Sequence, residues 1–248
     1  MQIIFNADDF GLTEGINRGI INACDAGVVR STTFMVGMAA ESHAIALASA
    51  TPQLKVGVHL RFTAGVPMSH GATTLIDDNG LFVDKSVLMK KTDICQRQVA
   101  DEAMAQIATF LAHGLPLSHI DSHHHAHTHP QILPVIQAIA RHYQVPLRGT
   151  GVVGGALSSC RYHFTDRFYG RELSVEGVIA LARQYQGEVD VLEVMCHPAY
   201  VDDGLVAMSG YSHERAQERA ILTDTRLMAQ LNEFGIRIAD YSALSRYA

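Results

Sequence analysis

Gln2-Ile3-Ile4-Phe5-Asn6-Ala7-Asp8-Asp9-Phe10-Gly11-Leu12-Thr13-Glu14-Gly15-Ile16-Asn17-Arg18-Gly19-Ile20-Ile21-Asn22-Ala23-Cys24-Asp25-Ala26-Gly27 opens the chain and carries the pattern on which the fold turns. Gln2–Asn6 is a short apolar run, the form of a strand buried on both faces of a parallel sheet. Asp8 and Asp9 follow it. Glu14–Ala26 then reads as a helix, with Thr13 as N-cap and Gly27 at the C′ position that favours a left-handed residue.

The same alternation continues outward. Thr32–Val36 and Lys55–Leu60 read as strands on either side of the helix Glu41–Ala50. Asp93–His113 is a long helix ended by Gly114 and Pro116, and Leu117–Asp121 is a fourth strand. Pro130–Tyr143 is helical and Pro146–Arg148 a short strand. Ser174–Gln186, Val189–Cys196, Ser212–Phe234 (closed by Gly235) and Ile236–Ala239 complete the order as helix, strand, helix, strand. Such βα units predict an α/β fold, TIM-barrel-like but distorted, with about seven parallel strands. A chain of 248 residues suits one barrel, and no linker or repeat divides it, so residues 1–248 are expected to form a single domain. Arg61–Thr92 and Gly149–Glu172 are longer than ordinary connections and are expected to be active-site loops.

Hydrophobic residues make up 48% of the chain and charged residues 18%, which excludes a disordered protein. The net charge of −6 comes without a basic run, so no nucleic-acid partner is expected. Met1–Phe5 runs into Asp8-Asp9 before it could serve as a secretory signal, and no apolar run approaches the ~18–20 residues of a membrane span. Cys24, Cys95, Cys160 and Cys196 form no CxxC pair, as expected of reduced thiols. The expected location is cytoplasmic.

Fourteen histidines are many for this length, and six fall between His119 and His129. The polar residues also share an address. Asp8 and Asp9 follow the first strand, His59 ends the third, Asp121 and His123 end the fourth, Arg148 ends the fifth, and His197 follows the next. These are C-terminal strand ends, which lie on one rim of a parallel barrel, where barrel enzymes keep their active sites. Singly, each has a plainer explanation. Asp-Asp after a strand is often a turn or helix cap, and His59 between Val58 and Leu60 could be a core histidine. The run Asp121-Ser122-His123-His124-His125-Ala126-His127-Thr128-His129 exceeds what a solvated loop needs. As extended chain it would point His123, His125 and His127 to one side and His124 to the other. Together, Asp9, His59 and His123 suggest one carboxylate and two imidazoles around a divalent ion with an open position for water. Asp8 is then left as general base.

Asn6-Ala7-Asp8-Asp9-Phe10-Gly11, Gly57-Val58-His59-Leu60, Asp121–His127 and Glu193-Val194-Met195-Cys196-His197-Pro198 resemble, in order, the blocks of the YdjC-like carbohydrate deacetylases, and most resemble the ChbG-type chitooligosaccharide deacetylases. The resemblance implies a TIM-barrel-like fold and removal of an N-acetyl group from chitobiose-type sugars, phosphorylated ones included. It also implies one divalent metal ion, magnesium or zinc, on Asp9, His59 and His123. Asp8 matches the catalytic base, and His197 a histidine that protonates the leaving amine. The expected partner is an N-acetylated sugar substrate, and a two-fold homodimer is the base-rate expectation.

Competing possibilities are a 2-His-1-carboxylate iron oxygenase, another hydrolase of acylated or phosphorylated sugars using Arg61, Arg148 or Arg161, and a non-enzymatic metal-binding protein. Phe62, Phe82, Phe168 and Tyr169 are candidate sugar-stacking rings, each with core packing as the plainer role.

Overall fold

Strands apolar on both faces, each returned by a segment long enough to cross the sheet, pair in parallel. The computed structural model describes residues 1–149, 152–153, 156–157, 160–170 and 173–245. Its strands are β1 (Gln2–Phe10), β2 (Ser31–Phe34), β3 (Lys55–Leu60), β4 (Ile120–Ser122), the two-residue pieces β5 (Val152–Val153) and β6 (Ala156–Leu157), β7 (Tyr162–Thr165), β8 (Val191–Cys196) and β9 (Arg237–Ala239). Seven of these form one parallel sheet in the order β4-β3-β2-β1-β8-β7, with β9 also on β1, curled as a distorted, half-closed TIM-like barrel. β1 is the hub. Gln2–Ala7 pairs with β8, while the other edge is taken first by β9 (Gln2–Ile4) and then by β2 (Asn6–Phe10).

The helices are α1 (Glu14–Asp25), α2 (Glu41–Ala50), α3 (Lys85–Leu88), α4 (Gln96–Ala112), α5 (Leu133–Tyr143), α6 (Val175–Tyr185), α7 (Asp203–Met208), α8 (His213–Leu222), α9 (Thr225–Glu233) and α10 (Ser242–Ser245). Thr13 caps α1 as expected, accepting from the Ile16 N–H at 3.2 Å. Among the described residues, no helix is long and apolar enough to cross a membrane.

Four expectations change. The Pro146–Arg148 strand shrinks to one bridge, in which Ile120 donates to Pro146 O at 2.9 Å and Arg148 donates to Ile120 O at 3.0 Å. Gly149–Glu172 is not wholly irregular. Tyr162–Thr165 pairs with Val191–Val194 as β7, an edge strand whose half-buried residues lack the apolar run of a central strand. Residues 150–151, 154–155, 158–159 and 171–172 of that stretch lie outside the described residues. The expected helix Ser212–Phe234 breaks in two, because the Asp224 carboxylate accepts from the Arg226 N–H at 2.8 Å and starts α9 afresh. Gly27 is not left-handed. It is glycine because a Cβ there would stand 2.0 Å from the Leu222 carbonyl.

Arg61–Thr92 is irregular apart from α3 yet firmly held. The buried Arg61 guanidinium donates to Ala64 O at 2.9 Å and Val66 O at 3.1 Å, and buried Glu102 of α4 accepts from the Ser69 N–H at 2.8 Å.

Helix α1 lies directly on the segment that follows β8. Tyr200 donates to Gly15 O at 3.0 Å, and a Cβ on Gly19 would stand 2.4 Å from Ala199 Cα. A backbone atom cannot swing aside, so Gly19→Ala is expected to destabilise by about 1–3 kcal/mol. A lowered urea midpoint with an unchanged m-value would record it.

Candidate active site

Successive residues of a regular strand point to opposite faces, so Asp8 and Asp9 would ordinarily diverge. Instead the β1–β2 register slips between Ala7 and Phe10, and Asp9 takes a left-handed φ of 71°. This bulge turns both carboxylates into one cavity of about 550 Å³ at the C-terminal ends of the strands, shared with His59, His123 and His197. A left-handed non-glycine residue is strained by about 1–3 kcal/mol, a cost that structures tolerate chiefly at functional positions.

Register accounts for the next pair. His59 on β3 faces Asp121 on β4 across the ladder, and His59 Nδ1 lies 2.6 Å from Asp121 Oδ1. The Thr33 hydroxyl of β2 donates to Asp121 Oδ2 at 3.1 Å. His59 Nε2 is then turned toward Asp9 Oδ1, 3.4 Å away, and His123 Nδ1 approaches the same oxygen at 2.9 Å. The second Asp9 oxygen accepts from Arg215 Nη2 of α8 at 2.7 Å.

Arg148 holds three carboxylates at once. Nη1 and Nη2 donate to the two Asp8 oxygens at 2.6 and 2.7 Å, Nη1 also lies 2.7 Å from Asp121 Oδ2, and Nε donates to Glu193 at 2.7 Å. Burial opposes the Asp8 charge, but the guanidinium outweighs it and lowers the carboxyl below its ordinary range. Asp8 also accepts from Asn6 Nδ2 at 2.9 Å. Three N–H bonds leave room on a carboxylate with about four acceptor sites for one more donor, such as a water.

Two sets of three donors converge within 4.8 Å among the described residues: Asp9, His59 and His123, and Asp8, His59 and Asp121. Arg148 already places a cation in the second set. The first could hold a divalent ion. It offers one carboxylate oxygen and two imidazole nitrogens, and a carboxylate on the far nitrogen of His59 is the usual support of a metal-binding histidine.

The histidine run is not extended. His123–Thr128 forms a tight 3-10 turn in which His124 and His125 take φ of 57° and 56°, which voids the strand-like alternation. His124 and His125 line the cavity beside His123. The rest are structural: His127 Nδ1 meets Ser122 Oγ at 2.6 Å, His129 Nε2 meets Lys91 O at 3.1 Å, and His119 stacks on Tyr241 at 3.6 Å.

His197 reaches the cavity from the end of β8. Burial, reinforced by the Arg215 charge, pushes it down to about 4, so the ring is neutral near pH 7. Its backbone N–H donates to Glu218 of α8. Sequence reading missed Arg215 and Glu218. They sit three apart on one helix face and are both buried, a pattern visible only as two charges inside an otherwise amphipathic helix. Of the four candidate stacking rings, Phe62, Phe82 and Phe168 are buried, whereas Tyr169 is 52% exposed and lines the cavity. One of its faces is covered by Tyr211, parallel at 4.0 Å.

The family model described as YdjC-like protein matches residues 2–233. A Vibrio campbellii protein named carbohydrate deacetylase is 53% identical over 244 residues, covering 98% of this chain and 96% of its own. A Brevibacillus brevis protein of the same name is 38% identical, covering 98% and 100%. Among solved structures, a putative cellobiose-phosphate cleavage protein from Enterococcus faecalis superposes with a TM-score of 0.88 at 33% identity, covering 98% of each chain. A family 4 carbohydrate esterase from Streptomyces lividans, in complex with acetate, shares the fold at a TM-score of 0.50 and 13% identity, covering 98% of this chain and 93% of that one.

Two outcomes follow from the buried charges. Arg148→Met strands buried carboxylates and should cost about 3–5 kcal/mol in denaturant unfolding. Burial holds His119 at about 3 and His127 and His197 at about 4. Unfolded histidine takes a proton near pH 6.5, so stability present above that pH is lost as pH falls toward 4. The buried carboxyl of Glu218, pushed up to about 8, opposes this trend, so the expected outcome is relative: from pH 7 to pH 4 the urea midpoint should lose less in His127→Asn than in the wild type.

Proposed function

Because the chain belongs to the YdjC-like protein family, we propose that it is a metal-dependent carbohydrate deacetylase that hydrolyses the N-acetyl group of chitobiose-type sugars. It is a hydrolase of the carbon–nitrogen amide bond, and its products are acetate and a free amino sugar. The observation that carries this reading is the convergence of Asp9, His59 and His123 beside a second carboxylate, Asp8, in one open cavity.

Asp9, His59 and His123 would hold a divalent ion, magnesium or zinc. When bound, that ion polarises the acetamide carbonyl and lowers the pKa of water. Arg215 fixes one Asp9 oxygen and so presents the other, and Asp121 keeps His59 Nε2 turned inward. Asp8, kept ionised and pinned by Arg148, takes the proton from the attacking water. His197 faces the leaving nitrogen and gives it a proton through the ring nitrogen on the cavity side. The free face of Tyr169 suits a sugar ring.

Phosphoester cleavage is disfavoured by the arginines themselves. Arg61 holds loop carbonyls, Arg148 three carboxylates, and Arg161 pairs with Asp190 at 2.8 Å. Lys85 lines the cavity beside Arg215, which is already paired with Asp9, and is in place to meet a phosphorylated sugar. Metal storage would want the histidines available, and His119, His127 and His129 are engaged in packing and hydrogen bonds. The parallel sheet is also not the β-sandwich scaffold of the oxygenases. The thiols of Cys24, Cys95 and Cys196 are unpaired, in keeping with a cytoplasmic setting.

Acetate release from N,N′-diacetylchitobiose and its phosphorylated form is the direct test. Release is expected to stop with a chelator and return with a single added metal. Asp8→Asn should keep the metal and lose activity by about 10²–10⁴-fold, while His123→Ala should lose both. Acetate release untouched by chelation and by Asp8→Asn would overturn the assignment.

A further inference from the structure

Glu218 is a buried carboxyl with three neighbours that make unequal demands on it. Oε2 accepts from the His197 backbone N–H, and Oε1 accepts from the Tyr211 hydroxyl at 2.6 Å. The third neighbour is His197 Nδ1, 3.9 Å from Oε1, buried and without a hydrogen-bond partner. A neutral imidazole has one N–H and one lone pair. If the N–H is on Nε2, where the ring meets the cavity, then Nδ1 needs a donor, and an ionised carboxylate can only accept. A protonated carboxyl meets all three demands, since it accepts from two groups and donates to the third.

We propose that Glu218 stores a proton and supplies it through His197 to the leaving group, an inference that rests on the acid role given to His197 above. As the carbon–nitrogen bond breaks, its electron pair goes to nitrogen, which takes the proton from His197 Nε2. The Glu218 O–H bond breaks in turn and its proton passes to His197 Nδ1, with the side chains closing the 3.9 Å gap. The ring stays neutral and changes tautomer, and Glu218 is left as a carboxylate. Solvent in the cavity returns a proton to His197 Nε2 while Nδ1 hands its proton back to the buried Glu218, which restores the starting tautomer, and Asp8 gives up to solvent the proton it took from water. The scheme removes a difficulty: His197 need never become an imidazolium in a pocket that disfavours one. Glu218 acts through His197 and is thus a positioning residue.

The surroundings favour storage. Burial, only partly offset by the Tyr211 and His197 hydrogen bonds and the Arg215 charge, pushes Glu218 up to about 8. Facing the pair are Cys196 from β8, Tyr211 ahead of α8, Arg215 on α8, Asp8 and Asp9 on β1, Arg148 after α5, and Tyr169 after β7.

Infrared titration of the metal-loaded protein, paired with acetate release from diacetylchitobiose, tests this. A protonated-carboxyl band present at neutral pH is expected to titrate away near pH 8 and to be missing in Glu218→Gln. That variant keeps the shape and should keep its metal and KM while kcat falls by about 100-fold or more. Wild-type kcat should decline as pH rises through about 8. Tyr211→Phe removes a bond that favours the ionised form, and should move that decline to higher pH. A band unchanged in Glu218→Gln, or wild-type kcat in that variant, would overturn the proposal. Full activity in His197→Gln would instead remove the acid role of His197, even with the Glu218 band intact. Failure of the wild type to release acetate would count against the deacetylase reading alone.

Discussion

Arg148 is the charge around which the interior of this barrel is arranged. Asp8, Asp121 and Glu193 come from three different strands, and none could remain ionised in a dry interior alone. One guanidinium, planar and with five donors, reaches all three. Placing Arg148 needs only a single bridge to Ile120, because its side chain, rather than its backbone, spans the half-closed barrel. The consequence is chemical as well as structural. Asp8 is held ionised and immobile, and a cation stands where three donors could otherwise attract a second metal ion.

The site depends equally on breaking regularity at a few points. The slipped register near Asp9 brings adjacent carboxylates into one cavity, where a straight strand would separate them. Left-handed His124 and His125 fold the histidine run into a turn, so that His123, His124 and His125 share the cavity while His127 turns to Ser122. Such strain persists because the neighbouring elements over-determine it. Thr63 meets His124 Nδ1 at 3.0 Å, and His125 packs edge-on to Phe164.

Helix α8 completes the site from late in the chain. Arg215 and Glu218, one turn apart, hold Asp9 and His197, one residue on each side of the proposed reaction. A cation and a buried carboxyl are thereby delivered to opposite roles by one rigid element. α1 seats tightly on Ala199, two residues after His197, and the close approach there requires glycine at position 19.

Sequence alone determined the order of strands and helices, the parallel sheet, and the rim on which Asp8, Asp9, His59, Asp121, His123 and His197 gather. Apolar runs and capping residues are local signals, and in a parallel sheet the C-terminal ends must share one side. Helix Glu41–Ala50 and strand Lys55–Leu60 were legible to the residue for that reason. β7 was not, because an edge strand that buries little has no apolar run to show. Nor was the split at Asp224, where one side-chain bond outweighed a continuous helical pattern. The partners of the site were decided only by tertiary structure. Which of six clustered histidines meets Asp9, which carboxylates Arg148 gathers, and that Arg215 and Glu218 belong to the site are all set by contacts between residues as many as 206 positions apart. Charge inside a protein is stable only beside its complement, and that complement is chosen by packing in space, which no local pattern encodes.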